Sequence, residues 1–327
     1  MVFVIIALFF PRKRLKNQLL FIHSHKFRGL KMRVLLLLHG FLGSTSDLGE
    51  INDAIKESKD NPFDNIWNLS YYDSDYGLDI TKPNSIRTPI FNPNTEVHSL
   101  VIHLYNILEE KLTPSHAKNV QITIIAHSMG GLLARALIKY KCNQHNQKQE
   151  LFPNCFIETI ILLGTPNHGT LLANKWLFLP VQELIDFLTF IYNLPSSISI
   201  HDLIKNNSQM TQMETNSLFL KSLNKPETIK YVKIVTVAGL NNKTFGRLPL
   251  IWEPFIFWKI RINSVFPWIH IGQIQNDGLV QSNSVSLKGE TVKNFTVKDA
   301  NHLNMLEWKS NPIGKSIYKK LNDFIKF

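Results

Sequence analysis

The sequence feature that most restricts the fold of this chain is an apolar, β-branched segment that continues directly into an Ala- and Leu-rich one. Residues 122–127 are Ile-Thr-Ile-Ile-Ala-His, Ser128 follows, and residues 129–137 continue without an intervening turn cluster. The first part is typical of a buried strand and the second of a helix. A serine at such a corner needs small neighbours, and Ala126 and Gly130 stand two positions before and after it. The sequence therefore predicts a strand, a sharp turn at Ser128 and a helix.

The predicted position of Ser128 favours a role as a nucleophile. Its hydroxyl would lie beyond the carboxyl end of the strand, where the backbone N–H groups of the new helix point towards any negative charge that forms. The N–H of Met129 is then one donor to an oxyanion. The structural alternative is a buried turn that contains a serine by chance. The agreement of strand, spacing and helix favours the nucleophile.

A glycine-containing turn follows the first strongly apolar segment. Residues 34–38 form a continuous apolar run, as expected for a strand covered on both faces, and residues 39–43 are His-Gly-Phe-Leu-Gly. The two glycines allow a tight turn that leaves the N–H of Phe41 pointing inwards. Phe41 and Met129 are therefore the predicted oxyanion-hole residues. His39 is expected to support this turn rather than to transfer protons.

A serine nucleophile needs a base, and that base needs an acid to orient it. The candidate acids are Glu253 and Asp277, and Asp277 is preferred because it lies in a turn-forming Asn-Asp-Gly segment. His302 follows the last predicted strand, residues 292–297, and is the candidate base. Asp299 is a rival acid, but its closeness to His302 in the sequence indicates a turn.

Five motifs in this order resemble those of α/β-hydrolase lipases. They are His-Gly-Phe-Leu-Gly at 39–43, Ala-His-Ser-Met-Gly-Gly at 126–131, Gly-Thr-Pro-Asn-His-Gly-Thr at 164–170, Asn-Asp-Gly-Leu-Val at 276–280 and Asn-His-Leu at 301–303. Through them the chain is similar to bacterial-type triacylglycerol lipases over residues 32–327. The resemblance implies an α/β-hydrolase fold, with active-site loops at the carboxyl ends of the strands. It also implies that Ser128, Asp277 and His302 form a catalytic triad.

One position departs from the calcium-dependent members of that family. They carry Asp two residues after the catalytic histidine, where this chain has Asn304. Without that carboxylate a hard anionic ligand is lost, so no calcium site is predicted. No other metal or cofactor is predicted, because Cys142 and Cys155 show neither a metal-ligand spacing nor a disulfide scaffold. His168, in the third motif, is expected to shape its loop.

Alternating strands and helices predict a mostly parallel, doubly wound sheet in an α/β-hydrolase domain over residues 32–327, with two insertions. Residues 171–229 break the alternation of strands and helices and contain an apolar stretch at 176–195. This stretch is either a helical cap or lid that lines an acyl pocket, or a pair of core helices. Residues 241–272 hold three of the six tryptophans, an aromatic insertion suited to contact a lipid surface, to cover an acyl chain or to pack. Residues 142–150 are expected to be a polar loop.

A basic N-terminal arm, residues 1–31, carries most of the net charge. The chain has a net charge of +11, and eight positive charges without any acid lie in residues 1–33, which leaves +3 for the remainder. A nearly balanced body without a basic-aromatic patch argues against nucleic-acid binding. The apolar run 1–10 is too short to span a membrane and lacks the order of a signal peptide. The arm is expected to be an interfacial anchor, or a disordered segment, or a mis-called start that makes Met32 the first residue. The sequence leaves two alternatives for the compartment, the cytoplasm and the surface of a membrane.

Together these features predict a serine hydrolase that cleaves carboxylic esters of lipid-like substrates through an acyl-enzyme. Its expected partners are a lipid or ester substrate and, peripherally, a lipid surface. Two alternatives stay open. An acyltransferase or lipid-anchor deacylase would use the same triad. A catalytically silent hydrolase-fold binding protein would be expected to tolerate loss of the serine, the histidine or the oxyanion loop, and all of them are intact here.

Overall fold

The computed structural model describes residues 31–41, 43–71, 96–112, 119–145, 148–170, 173, 208–226, 230–241 and 275–325. The arm up to residue 30, most of the cap predicted at 171–229, and nearly all of the aromatic insertion predicted at 241–272, with the rival acid Glu253, lie outside these described residues.

Within the described part of the chain the structure contains eight strands and seven α-helices. The strands are β1 Lys31–Leu38, β2 Asn65–Leu69, β3 Asn119–His127, β4 Asn143–His145, β5 Lys148–Phe152, β6 Cys155–Leu163, β7 Lys233–Gly239 and β8 Val292–Val297. The helices are α1 Gly49–Lys56, α2 Val97–Leu112, α3 Met129–Lys141, α4 Ser208–Gln212, α5 Leu218–Leu223, α6 Ser282–Val285 and α7 Pro312–Ile325. Short 3-10 helices span Thr45–Leu48 and Asn304–Leu306.

Six of these strands form a parallel sheet in the order β2-β1-β3-β6-β7-β8. Strands β4 and β5 add an antiparallel pair against the first half of β6. The predicted mostly parallel sheet is confirmed. Because parallel strands end at the same edge, the loops after β1, β3, β6, β7 and β8 all lie on one side of the sheet, where α/β folds bind their ligands.

Helices cover both faces of the sheet, so each central strand is buried on two sides. In β1, Leu36 and Leu38 face one core layer with α2 and α3, while Leu35 and Leu37 face the other with α1 and α7. All four leucines are fully buried. Burial of such a side chain contributes about 1.5–3 kcal/mol. The uninterrupted apolar run in the sequence is thus explained by a strand with two buried faces, and the doubly wound arrangement is confirmed.

The polar loop expected at residues 142–150 is wrong, because this segment contains β4 and most of β5. Asn143 pairs with Glu150, and Glu150 pairs with Phe156 of β6. Asn has low strand propensity, and the pairing of this segment with β6 overrides that preference. The start of β1 also differs from the expected one, since β1 begins at Lys31 rather than 34.

The described helices and the two cysteines provide two further findings. None of the described helices combines the length and apolar character that crossing a membrane requires. Cys142 and Cys155 are both free thiols, and burial raises the pKa of each. Both thiols are therefore protonated and poorly reactive at neutral pH.

The start of α3 packs so closely on the end of β1 that only glycine fits at residue 130. A Cβ on Gly130 would overlap the carbonyl oxygen of His39 and lie 2.7 Å from that of Leu38. Gly130→Ala should therefore lower the free energy of unfolding by about 1–3 kcal/mol or more, as overpacking does. Gly49→Ala in α1 is the matched control. A Cβ there meets nothing within 4 Å, and we expect it to be neutral or stabilising by up to about 1 kcal/mol. Urea denaturation compares the two variants, and equal stabilities would contradict the close packing.

Candidate active site

Ser128 connects β3 to α3 in a strained backbone conformation. Its φ of 52° and ψ of −126° lie where side chains other than glycine are rarely found, at a cost of about 1–3 kcal/mol. Two hydrogen bonds hold the turn, one from the Ser128 N–H to the Leu163 carbonyl at 2.9 Å and one from the Gly131 N–H to the Ser128 carbonyl at 3.0 Å. The structure thus has the strand, sharp turn and helix that the sequence predicts, and the serine side chain stays half-buried.

Asp277 and His302 form a buried acid–base pair. The His302 Nδ1–H donates to Asp277 Oδ2 at 2.8 Å, and the His302 backbone N–H donates to the Asp277 carbonyl at 2.9 Å. The other carboxylate oxygen accepts from the backbone N–H groups of Leu279 at 3.0 Å and Val280 at 2.8 Å. Because a carboxylate oxygen accepts, the histidine proton is on Nδ1. In the neutral form of this ring, Nε2 carries the lone pair that can take a proton.

The loops after three strands converge on this pair. Gly164 directly follows β6 with a φ of 57°, and a Cβ there would lie 3.0 Å from both Asp277 Oδ2 and His302 Nδ1. Gly239 ends β7, and a Cβ there would lie 2.8 Å from the Cβ of Asp277. His302 itself follows β8. The absence of side chains at the two glycines lets β6 and β7 end directly against the acid–base pair.

His127 links the serine turn to the histidine loop. Its Nε2–H donates to the His302 carbonyl oxygen at 3.0 Å, and the two imidazole rings lie 4.5 Å apart between centroids. Burial holds the pKa of His127 well below its usual range, and the nearby His302 lowers it further. His127 is therefore neutral, with its proton on Nε2. Among the described residues no hydrogen bond joins Ser128 Oγ to His302, so His127 is the connection that the structure shows between them.

The two predicted oxyanion residues belong to backbone segments that lie next to Ser128. Met129 is the first residue of α3, and its N–H lies at the positive end of that helix. Phe41 is half-buried in the turn after β1. The preceding Gly40 packs against the serine, since a Cβ there would lie 3.1 Å from the Cβ of Ser128. Both backbone segments therefore lie next to Ser128.

His39 lies beneath that turn, as expected from the sequence. It is fully buried, its Nδ1–H donates to the Gly40 carbonyl at 2.9 Å, and its ring stacks on that of Tyr71 with centroids 4.2 Å apart. Burial lowers the pKa of His39 from the ordinary 6.5 to about 4. The ring is thus neutral and acts as a fixed donor within the turn.

The buried histidines predict that the protein loses stability in mild acid. The unfolded chain binds protons to these groups below about pH 6.5, whereas folded His39 does so only near pH 4. The contribution of His39 to the free energy of unfolding is fully present above about pH 6.5, and it falls by about 3 kcal/mol as the pH drops towards 4. His127 acts in the same direction. Urea unfolding across this range measures the change. His39→Asn should flatten the dependence and His103→Asn on α2 should not, and identical slopes in both variants would contradict this origin.

The other candidate residues hold loops together. His168 is exposed, its Nε2–H donates to the Ser286 carbonyl at 3.0 Å, and its Nδ1 accepts from Asn224 at 3.1 Å. Asn304 donates to the Asp299 carbonyl at 3.2 Å. The side chain of Asp299 is exposed, and within the described ranges it forms no ion pair with His302. The described part of the chain contains no group of three or more His, Cys, Asp or Glu residues that could hold a metal ion.

Arg135 on α3 is a buried cation that the sequence analysis missed. Its Nη1 donates to Asn167 Oδ1 at 2.9 Å, and its Nη2 donates to the Leu223 carbonyl and to Asn224 Oδ1, both at 2.8 Å. Burial lowers its pKa to about 9. The guanidinium thus joins the segments on both sides of residues 171–207. The apolar periodicity of α3 gave no signal for it, because Arg135 lies among alanines and leucines.

Tyr71 was also missed, although a signal for it exists. Leu69 at the end of β2 pairs with Leu38 at the end of β1. Parallel neighbours end at the same edge, so a residue two positions beyond β2 lies beside the turn that follows β1. The order of the strands in the sheet was needed to use that signal.

Comparison with solved structures identifies the architecture. The mature form of the lipase BlEst2 from Bacillus licheniformis is 18% identical to this chain, with a TM-score of 0.51 over 90% of this chain and 91% of that one. Its propeptide form is 17% identical, with a TM-score of 0.52 over 90% of this chain and 50% of that one. At this identity the likeness establishes the fold alone. The chain has the α/β-hydrolase fold that its motifs imply.

Sequence comparison gives the family. No curated protein matches the chain. A family model described as a domain of unknown function, DUF7379, matches residues 11–305, which is most of the sequence. The chain therefore belongs to the DUF7379 family.

Proposed function

We propose that this protein is a serine hydrolase that cleaves carboxylic esters of lipid-like substrates. Ser128 Oγ attacks the ester carbonyl carbon while His302 Nε2 takes its proton and later gives it to the leaving alcohol. Asp277 holds the imidazole and stabilises its charged form. The N–H groups of Phe41 and Met129 stabilise the oxyanion. Water, activated by the same histidine, then releases the acid from the acyl-enzyme and restores Ser128.

The observation that carries this proposal is the buried bond between Asp277 and His302 beside a strained serine. The bond fixes the histidine tautomer that a base requires, with Nε2 unprotonated. A strained backbone at a non-glycine residue persists where the surrounding structure enforces it, and such residues cluster at active sites. A binding protein without catalysis would need neither feature.

The missing hydrogen bond between Ser128 and His302 is compatible with this mechanism. Catalytic hydrogen bonds are often long in free enzymes and tighten when the substrate binds. The His127 contact to the His302 carbonyl holds the histidine loop next to the serine turn. We propose that substrate binding completes it.

The lipid-like character of the substrate rests on the sequence and on the name of one structural relative. BlEst2 is described as a lipase. We propose that residues 171–229 form a cap over the site and that the aromatic insertion at 241–272 covers the acyl chain or contacts a lipid surface. The proposed domain then spans residues 32–327.

A panel of p-nitrophenyl esters with acyl chains of increasing length tests the proposal. We expect hydrolysis, with rates that depend on chain length. A sharp rise above the solubility limit of the substrate would support a cap that opens at lipid surfaces. Product analysis in the presence of an alcohol separates hydrolysis from acyl transfer, since a new ester would then replace the free acid. A folded protein that cleaves no ester in the panel would contradict the proposal.

A further inference from the structure

The turn after β1 is held by a buried tyrosine that takes no part in the chemistry described above. We propose that Tyr71 is a positioning residue that fixes the Gly40–Phe41 peptide, so that the Phe41 N–H points at the developing oxyanion. This inference rests on the proposed function, because it assigns Tyr71 a role in the oxyanion hole of that reaction.

The carbonyl oxygen of Gly40 accepts three hydrogen bonds. They come from the Gly43 N–H at 3.1 Å, the His39 Nδ1–H at 2.9 Å and the Tyr71 hydroxyl at 2.9 Å. The same hydroxyl lies 2.9 Å from the His39 carbonyl oxygen, so its single hydrogen is shared between two consecutive carbonyls. A carbonyl held from three directions cannot turn without breaking several bonds at once.

Fixing this carbonyl also fixes the neighbouring N–H. A peptide unit is planar, and in the trans form its C=O and N–H point in opposite directions. The C=O of Gly40 and the N–H of Phe41 belong to the same unit. The donors that hold the Gly40 oxygen on one side therefore direct the Phe41 N–H to the other side.

The location of this peptide gives its orientation a chemical consequence. Gly40 packs against Ser128, because a Cβ there would lie 3.1 Å from the serine Cβ. Tyr71 and His39 are both fully buried, and their rings stack with an angle of 18° between planes. Hydrogen bonds in such a water-free setting are stronger than in solvent. The hydrogen bonds from Tyr71 and His39 to the Gly40 carbonyl, here called the clamp, thus hold a backbone donor beside the nucleophile. No reorganisation is then needed during the reaction.

A positioning role and a purely structural role make different predictions for sulfur-containing substrates. A thionoester forms a thiolate-like anion in place of the oxyanion, and sulfur accepts hydrogen bonds poorly. A well-aimed N–H therefore speeds the oxygen ester much more than the thionoester. General damage to the site slows both substrates alike. The ratio of the two kcat/KM values is the readout that a structural role would not move.

Tyr71→Phe removes only the hydroxyl and keeps the stacked ring. We expect kcat for p-nitrophenyl butanoate to fall about tenfold with little change in KM, less than the about 10²- to 10³-fold cost of deleting a donor outright. The butanoate to thionobutanoate ratio should fall by about the same factor. Tyr318→Phe on α7, whose ring stacks on Trp308, is the matched control and should leave both quantities unchanged.

Substitutions of His39 test the same clamp from its other side and guard against a misfolded Tyr71 variant. His39→Asn keeps an N–H donor at the position of Nδ1, and we expect a ratio near that of the unmodified protein. His39→Leu removes the donor and should lower the ratio. Circular dichroism and thermal unfolding establish that each variant is folded.

The outcomes separate this inference from the proposed function. Ester hydrolysis by the unmodified protein, with an unchanged ratio in both folded Tyr71→Phe and folded His39→Leu, would overturn the positioning role and leave the hydrolase intact. Equal losses on both substrates would assign Tyr71 to structure alone and would also overturn it. Absence of ester hydrolysis in the unmodified protein would instead contradict the proposed function.

Discussion

Replacing Ser128 by alanine should lower kcat for p-nitrophenyl ester hydrolysis by at least about 10³-fold. The substitution removes the atom that forms the acyl-enzyme in the proposed mechanism. It keeps the β3–α3 turn, because the Ser128 backbone bonds to Leu163 and Gly131 do not involve the hydroxyl. Binding of substrate should change little, so the loss appears in kcat rather than in KM.

Ser316→Ala provides the matched control, since it removes an exposed serine hydroxyl from α7. Its activity should equal that of the unmodified protein. Steady-state rates at saturating substrate, with thermal unfolding to verify the fold, are sufficient for the comparison. Ester hydrolysis by Ser128→Ala within tenfold of the unmodified rate would remove Ser128 from the mechanism.

Substitutions in the acid–base pair should have effects of similar size. His302→Ala removes the base and should lower kcat about as much as the loss of Ser128. Asp277→Asn should lower kcat by about 10⁴-fold. An amide NH₂ facing His302 Nδ1 favours the opposite tautomer, which places the proton on Nε2 and leaves no base for the serine. The hydrogen bonds that Leu279 and Val280 donate to Oδ1 can persist in that variant.

Two further variants test the roles of His302 and Asp277. The double variant Ser128→Ala/His302→Ala should be no slower than Ser128→Ala alone, because residues that act as a unit are not additive. Asp299→Asn, the rival acid, should retain activity, since its exposed side chain forms no ion pair with His302 in the described structure. Two results would argue for a different acid–base arrangement. One is a loss of kcat in the double variant that equals the product of the losses in the two single variants. The other is a larger loss of kcat in Asp299→Asn than in Asp277→Asn.

Local patterns in the sequence were enough to predict the elements that carry the site. The apolar runs before Gly40 and Ser128 predict buried strands because both faces of a central parallel strand are covered. The last strand, Val292–Val297, has the predicted bounds. The pairing of Asp277 with His302 was implied by the resemblance of their two turns to lipase motifs. The structure brings these side chains, 25 positions apart in the sequence, to 2.8 Å.

Contacts between distant segments could not be predicted in this way. The bond from His127 to the His302 carbonyl joins residues 175 positions apart, and neither residue type nor spacing indicates it. Tyr71 reaches the Gly40 carbonyl only because β2 lies beside β1 in the sheet. Arg135 is buried because α5 covers it, which overrides the preference of arginine for solvent. In each case the packing of distant segments, rather than the local sequence, decides the partner.

Site-specific labelling by a fluorophosphonate tests the central claim most directly, because this reagent phosphonylates an activated serine. Peptide mapping by mass spectrometry of the labelled full chain should find one adduct, on Ser128. Labelling should be lost in Ser128→Ala and strongly slowed in His302→Ala. An adduct on a different residue, or no adduct in a folded protein that hydrolyses esters, would contradict the assignment of Ser128 as the nucleophile.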